Sequence, residues 1–130
     1  MGQIAWGAWK TLVDNQLVGA VPTISSPLNL DQKAACEVSV TAVYTKGGGT
    51  IAAGLKVYLL RDIDGINYEG AADGPWGFEM PYTNSEGATH RRAFAVDPSQ
   101  VGKCKIHLEY SGGAGTSVAA TVRYRTATLC

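Results

Sequence analysis

Cation binding is the first chemistry that the sequence offers, at Asp62-Ile63-Asp64-Gly65. Carboxylates on alternate residues of a tight loop can supply two or three of the roughly six to eight oxygens that calcium prefers, and Glu69 or Asp73 could add more. The glycine comes two places too early for an EF-hand loop. Asp-Gly is also among the strongest signals for a β-hairpin. We therefore expect a hairpin turn, with Asp62 and Asp64 as secondary candidates for metal ligands.

The two histidines give little basis for catalysis. His107 alternates with Lys105 and Glu109 on the outward side of its segment, which predicts a solvated side chain. His90 lies in no recognisable motif, and no serine or cysteine elbow accompanies either residue. We expect a protein that is not an enzyme and that uses no cofactor.

The three cysteines, Cys36, Cys104 and Cys130, lack the paired spacing of a zinc site. Cys36 and Cys104 fall on the apolar side of alternating segments, which predicts buried thiols. A bridge between them is the alternative, as in immunoglobulin-like domains. Cys130 is the last residue, and with three cysteines one has no partner within the chain. We therefore expect Cys130 to be either a free thiol or part of a disulfide to a neighbouring chain.

Aromatic residues concentrate outside the regular segments. Trp and Tyr dominate binding hot spots, so these residues predict contacts with other subunits. Stacking on sugar rings is an alternative for Trp76, Phe78 and Tyr82, and covering of the open ends of the sandwich is the interpretation favoured for Trp76. The interface candidates are Trp6, Trp9, Leu12, Trp76, Phe78 and Tyr82.

The elements that position these residues show a period of two. Residues 36–44 place an apolar side chain at every second position, and residues 103–110 and 118–126 repeat the pattern. Successive side chains of a strand point to opposite faces, so each segment predicts a strand with one buried face. Glycine turns separate seven or eight such strands, the signature of an antiparallel β-sandwich or jelly roll.

Two stretches lack this periodicity. Residues 1–15 are apolar and aromatic and predict an N-terminal arm or an edge segment, which leaves residues 16–130 as the sandwich domain. Residues 70–87 hold glycine, proline and aromatic residues without clear order. A loop longer than about 12–15 residues tends to be functional or mobile.

Charge is balanced, with 11 basic and 11 acidic residues in a chain of 130. This balance argues against nucleic-acid binding, and no apolar run reaches the roughly 20 residues that cross a bilayer. The N-terminus does not resemble a signal peptide, which predicts synthesis in the cytoplasm. Acidic residues prevail before Arg91 and basic residues after His90. Folding could mix these charges, or subunits could dock an acidic patch on a basic one.

One further pattern runs through Thr11-Leu12, Asn15, Leu17 and residues 25–30, 38–40 and 57–69. In this pattern the chain resembles small virion proteins of tailed bacteriophages, in which a short β-sandwich carries an arm and a strand ending in a D-x-D-G-x-x-Y/W turn. The resemblance implies a capsid decoration or cement protein, or a tail-associated protein, located in the virion. It also implies self-association as a trimer or larger oligomer and contact with the major capsid protein. A carbohydrate-binding module and an adhesion domain remain alternatives, since fold alone does not fix function.

Overall fold

The alternating segments form the long strands of two antiparallel sheets. The structure, a computed structural model, describes residues 3–129. Within this range there are ten strands: β1 (Ile4–Trp6), β2 (Lys10–Val18), β3 (Thr23–Ile24), β4 (Leu28–Asn29), β5 (Ala35–Thr45), β6 (Lys56–Arg61), β7 (Gly77–Glu79), β8 (Thr89–Val96), β9 (Lys103–Glu109) and β10 (Ser117–Leu129). No helix of the described residues is long and apolar enough to span a membrane.

Sheet 1 is built on the pairing of β5 with β10. The two strands are in register over the whole of β5, from Ala35 opposite Ala127 to Thr45 opposite Ser117. On the far side of β10 lie β1 and β2, and on the far side of β5 lies β8. Strand β8 therefore ends the sheet.

Sheet 2 is built on β9. Strands β3 and β4 pair with one side of β9 and β6 pairs with the other, while the short β7 continues the sheet beyond β6. The long strands of both sheets carry valine, isoleucine and leucine, whose branched or bulky side chains suit a pleated surface.

The core lies between the sheets and consists of the inward phase of each strand. Val38, Val40 and Val122 from sheet 1 and Ile106 and Leu108 from sheet 2 are fully buried. Full burial of such a side chain stabilises the fold by roughly 1.5–3 kcal/mol. The sequence prediction of an all-β antiparallel sandwich is thus confirmed.

The short elements differ from expectation. Ten strands replace the expected seven or eight, because strands of two or three residues are too short to show a period. Residues 70–87 are not wholly irregular, since Ala71–Asp73 forms a 3₁₀ helix and β7 pairs with β6. The expected boundary between residues 15 and 16 falls inside β2, at a bulge where Asn15 has a φ of 45°.

Candidate interaction surfaces

Trp6, Arg125 and Trp9 form a stack on the outer side of sheet 1. Pairing of β1 with β10 places Trp6 opposite Ala127, two residues from Arg125 and on the same face. The guanidinium carbon of Arg125 lies 4.3 Å from the centroid of the Trp6 ring and 4.9 Å from that of Trp9. Guanidinium groups bind aromatic faces by cation–π attraction. The alternation over residues 118–126 puts Arg125 on the outward side of its strand, but nothing in the sequence indicated that it would meet both tryptophans.

An ion pair fixes this stack further. Arg125 Nη2 donates to Glu37 Oε1 over 3.1 Å, and Glu37 is the residue opposite Arg125 on β5. Trp6 is 42% exposed although its ring is held in place. A side chain that is ordered before binding loses less conformational entropy when a partner covers it. The stack is therefore a prepared contact point at the N-terminal side of the sheet.

Small side chains surround the stack on the outer side of sheet 1, together with Arg91 and Arg123. We call this surface the outer face; its members have the same phase as Arg125. The alanine, serine and threonine side chains of the outer face allow a partner backbone or a flat surface to approach closely. Its members are Ala35, Glu37, Ser39, Thr41, Val43, Arg91, Ala93, Ala95, Ala119, Thr121, Arg123 and Arg125.

Leu12 does not join this surface. It is partly buried and packs against the hydrophobic core beside Val13. Leu17, five residues further along β2, is 66% exposed and lies opposite Ala119 of the outer face. The bulge at Asn15 separates these two parts of β2, which explains why simple alternation did not single out Leu17.

A second aromatic cluster closes the sandwich where β7 and β8 meet. Trp76 packs against Phe78 and Phe94 with centroid distances of 5.5 and 5.1 Å, and the two phenylalanine rings meet edge to face at 5.5 Å. Arg92 lies over the Phe78 ring, 4.1 Å from its centroid. Phe94 and Arg92 were not among the sequence candidates, because the contact joins strands of different sheets.

This cluster lacks the shape of a flat sugar-binding platform. Its ring planes are inclined to one another by 50–73°, and Arg92 occupies one face of Phe78. Trp76 nevertheless remains 50% exposed. Tyr82 is 41% exposed and makes no ring contact with the cluster among the described residues. The observed packing agrees with the interpretation that Trp76 covers an open side of the sandwich.

The Asp62–Gly65 segment is a hairpin turn held by its own carboxylates. Asp62 Oδ1 accepts hydrogen bonds from the backbone N–H groups of Asp64 and Gly65. Asp64 accepts from the backbone N–H groups of Asn67 and Ile66 and from the Asn67 side-chain amide. The hydrogen bonds from Asn67 lower the pKa of Asp64, and the bond from the Asn67 backbone N–H contributes most. Turn formation accounts for both carboxylates.

The other proposed oxygen ligands are engaged elsewhere. Glu69 is buried and forms a two-pronged ion pair with Arg61, at 2.9 and 3.3 Å. Asp73 accepts the backbone N–H of Gly70 at the 3₁₀ helix. Within residues 3–129 no cluster of three or more His, Cys, Asp or Glu side chains could hold a metal ion.

The prediction that His107 is a solvated side chain is wrong. His107 is only 5% exposed, because Tyr58 and Ile24, its neighbours on β6 and β3, cover the outer side of sheet 2. The Tyr58 ring meets it edge to face at 5.4 Å. Glu109 Oε1 lies 3.5 Å from His107 Nε2, which has no hydrogen-bond partner. His90 contacts Thr83 Oγ1 at 3.0 Å.

Cys36 and Cys104 are buried free thiols, so no disulfide joins the two sheets here. Burial raises the pKa of Cys36 to about 11, with a further contribution from Glu37. Burial raises the pKa of Cys104 to about 12, with a further contribution from Cys36. Neither thiol is a nucleophile at neutral pH. The prediction for Cys130 lies outside the described residues.

Comparison with known proteins supports the fold and goes no further. No family model matches the chain, and no curated protein matches it significantly. Among solved structures, the crystal structure of the infectious bursal disease virus VP2 subviral particle is similar, with a TM-score of 0.54, 12% identity, and coverage of 98% of this chain and 33% of that chain. A structure of the infectious bursal disease virus Gx strain gives a TM-score of 0.49 and 14% identity, with 97% and 33% covered. The chain thus spans about a third of these viral chains, and it shares the β-sandwich fold of the first.

Proposed function

We propose that the chain is a structural virion protein that decorates or cements a phage capsid through repeated contacts with capsid subunits and with copies of itself. Attachment to the tail is the alternative location. The observation that carries the proposal is the Trp6–Arg125–Trp9 stack, an exposed contact point on a sheet whose outer side otherwise presents small side chains and two further arginines.

The chemistry of this surface suits a protein partner. Tryptophan and arginine are the residues most enriched in hot spots, and charged residues other than arginine are depleted at the centres of interfaces. On the outer face Glu37 is the one carboxylate, and it is paired with Arg125. The sandwich fold, shared with the VP2 subviral particle, is compatible with this role.

Because the contact is repeated across the capsid lattice, each copy can be held by a modest interface. A decoration protein binds at many equivalent positions on a lattice, and self-association adds avidity because each further contact is intramolecular. A small interface per copy, below the size of a stable binary complex, can then hold the assembly. A homo-oligomer that contacts the major capsid protein fits this requirement.

Binding to particles tests the proposal. Particles that lack the chain are mixed with purified protein and sedimented, and the bound fraction is measured. The native chain should sediment with the particles, and Trp6→Ala should lose most of the binding, while Ile66→Ala, at a residue that is 83% exposed on the hairpin tip, should retain it. Absence of binding by the native chain would contradict the proposal.

A further inference from the structure

Strand β8 is a free edge. Its eight residues, Thr89–Val96, pair with β5 on one side, and on the other side no strand of residues 3–129 pairs with it. Thr89, Arg91, Ala93 and Ala95 are exposed. An edge strand presents a row of unpaired N–H and C=O groups, which can accept another strand.

The usual devices that block such an edge are few in β8. It contains no proline, and its register with β5 runs without a shift from Val43 opposite Thr89 to Cys36 opposite Val96. The two arginines, Arg91 and Arg92, are the remaining protection, since like charges placed opposite each other oppose pairing. Whether β8 can pair with another copy therefore depends on where these arginines fall.

We propose that two copies of the chain associate by antiparallel pairing of β8 with β8, about a two-fold axis at Ala93. This register places Arg91 opposite Ala95 of the second copy and Arg92 opposite Phe94 of the second copy. Ala93 faces its own symmetry mate. Registers centred on residue 91 or residue 92 would place an arginine opposite the same arginine.

Charges and rings complement each other in this register. Arg92 already lies 4.1 Å from the centroid of Phe78 and would gain the ring of Phe94 from the second copy. Asp97 directly follows the last residue of β8 and is exposed, and its Oδ1 accepts hydrogen bonds from Ser99. Asp97 of the second copy would be the diagonal neighbour of Arg91, about 7–8 Å away and within reach of an arginine side chain.

The same arrangement uses the exposed tryptophan. Trp76 packs on Phe94, which points to the inner side of sheet 1 together with Arg92. A two-fold axis at Ala93 sets the aromatic clusters of both copies side by side on that inner side. Trp76 then loses part of its exposure, so apolar area is buried beside the new hydrogen bonds.

Engineered cysteines test the register directly, in a Cys130→Ser background. Residues opposite each other in an antiparallel pair have Cα atoms about 4.5–5.5 Å apart, within disulfide range. Ala93→Cys should therefore yield a covalent dimer of twice 13.7 kDa on mild oxidation. Ala95→Cys should not, because the two copies of residue 95 are about 14 Å apart. Equal crosslinking of both variants, or none with Ala93→Cys, would overturn the register.

Solution mass tests the association itself. The native chain should sediment as a dimer that dissociates on dilution, and Ala93→Lys should weaken the dimer about tenfold or more, a change of about 1.4 kcal/mol. Ala72→Lys, at another exposed alanine, should have little effect, and thermal melting shows that both variants fold. A monomeric native chain at all concentrations would overturn the proposal.

The pairing goes beyond the proposed function, since it concerns the isolated chain, and the two can fail separately. A chain that is monomeric but sediments with particles would contradict the β8 contact alone. A chain that dimerises through residue 93 but does not bind particles would contradict the virion role alone.

Discussion

Arg125, near the C-terminal end of the chain, lies with its guanidinium carbon 4.3 Å from the centroid of the Trp6 ring, near the N-terminal end. The contact exists because β1 and β10 are antiparallel neighbours. It gives sheet 1 an ordered aromatic–cationic site on its outer side, on which the proposed function depends.

Replacement of Arg125 by lysine should weaken binding to particles about tenfold or more. Lysine keeps the charge but lacks the planar group that stacks between Trp6 and Trp9. Arg61→Lys, at an exposed arginine on β6 of sheet 2 and away from the outer face, is the control and should bind as the native chain does. Co-sedimentation measures both; equal loss in the two variants would contradict the role of the stack, since both substitutions keep the charge.

Removal of the Tyr44 hydroxyl should lower the free energy of unfolding by about 1–3 kcal/mol, the cost of an unsatisfied buried group. This hydroxyl accepts the buried N–H of Leu55 and donates to the carbonyl of Pro81, each over 3.0 Å. Urea unfolding of Tyr44→Phe measures the loss. Tyr82→Phe, at an exposed tyrosine, should change stability by less than about 0.5 kcal/mol. A neutral Tyr44→Phe variant would contradict the structural role of this hydroxyl.

A methyl group at Gly77 should disrupt β7. A Cβ there would lie 2.6 Å from the carbonyl oxygen of Val57 and would also collide with the Tyr58 ring. Gly77→Ala should therefore loosen the Trp76–Phe78 cluster and lower the midpoint of thermal unfolding. Gly48→Ala, where a Cβ meets no atom within 4 Å, serves as the control. Equal melting of the two variants would refute the close packing at Gly77.

The reactivity of the buried thiols should distinguish the folded chain from the unfolded chain. In the native chain at pH 8, Cys36 and Cys104 should resist alkylation, because burial raises the pKa of each and blocks access. Their raised pKa values also mean that the unfolded chain releases these protons first. Stability should consequently fall as the pH rises above about 9, the unperturbed thiol value, towards 11. Mass spectrometry after alkylation, with a denatured control, counts the labelled cysteines. Rapid labelling of Cys36 or Cys104 in the folded chain would contradict their burial.

The Arg61–Glu69 pair should make the hairpin region sensitive to acid. The hydrogen bond from Arg61 lowers the pKa of Glu69 below its ordinary value of 4.5. The stabilisation is therefore present above the pKa of the unfolded chain and is lost as the pH falls through the lowered value. Glu69→Gln should be less stable than the native chain at pH 7 and should lose less stability between pH 5 and pH 3. Parallel pH profiles of the two proteins would rule out this contribution.

The sequence predicted β5, β9 and β10 and most of the core, because each of these strands has one buried face over seven or more residues. It did not predict β2, which a bulge interrupts and which the expected boundary after residue 15 divided. Val38, Val40, Ile106 and Leu108 all point inward as their alternation required. The covering of His107 by Tyr58 and Ile24 was not predictable, since it depends on which strands become neighbours. The same reason applies to Arg125, whose ring partners lie more than a hundred residues away along the chain.

The candidate surfaces were therefore predicted only in part. Trp6, Trp9, Trp76 and Phe78 were singled out by residue type, and each takes part in an aromatic–cationic contact or a ring cluster. Their role as interfaces remains a proposal. Leu12 illustrates the limit of such reasoning, because an apolar residue beside an irregular segment can equally complete the core, as it does here.

The presence of the chain in purified particles tests the central claim most directly. Particles of the virus proposed as the source of the chain are purified through a density gradient, and the copy number per particle is determined by quantitative mass spectrometry. The proposed structural role predicts many copies in a fixed ratio to the major capsid protein, or a small fixed number if the chain is attached to the tail. Absence of the chain from infectious, gradient-purified particles would contradict it.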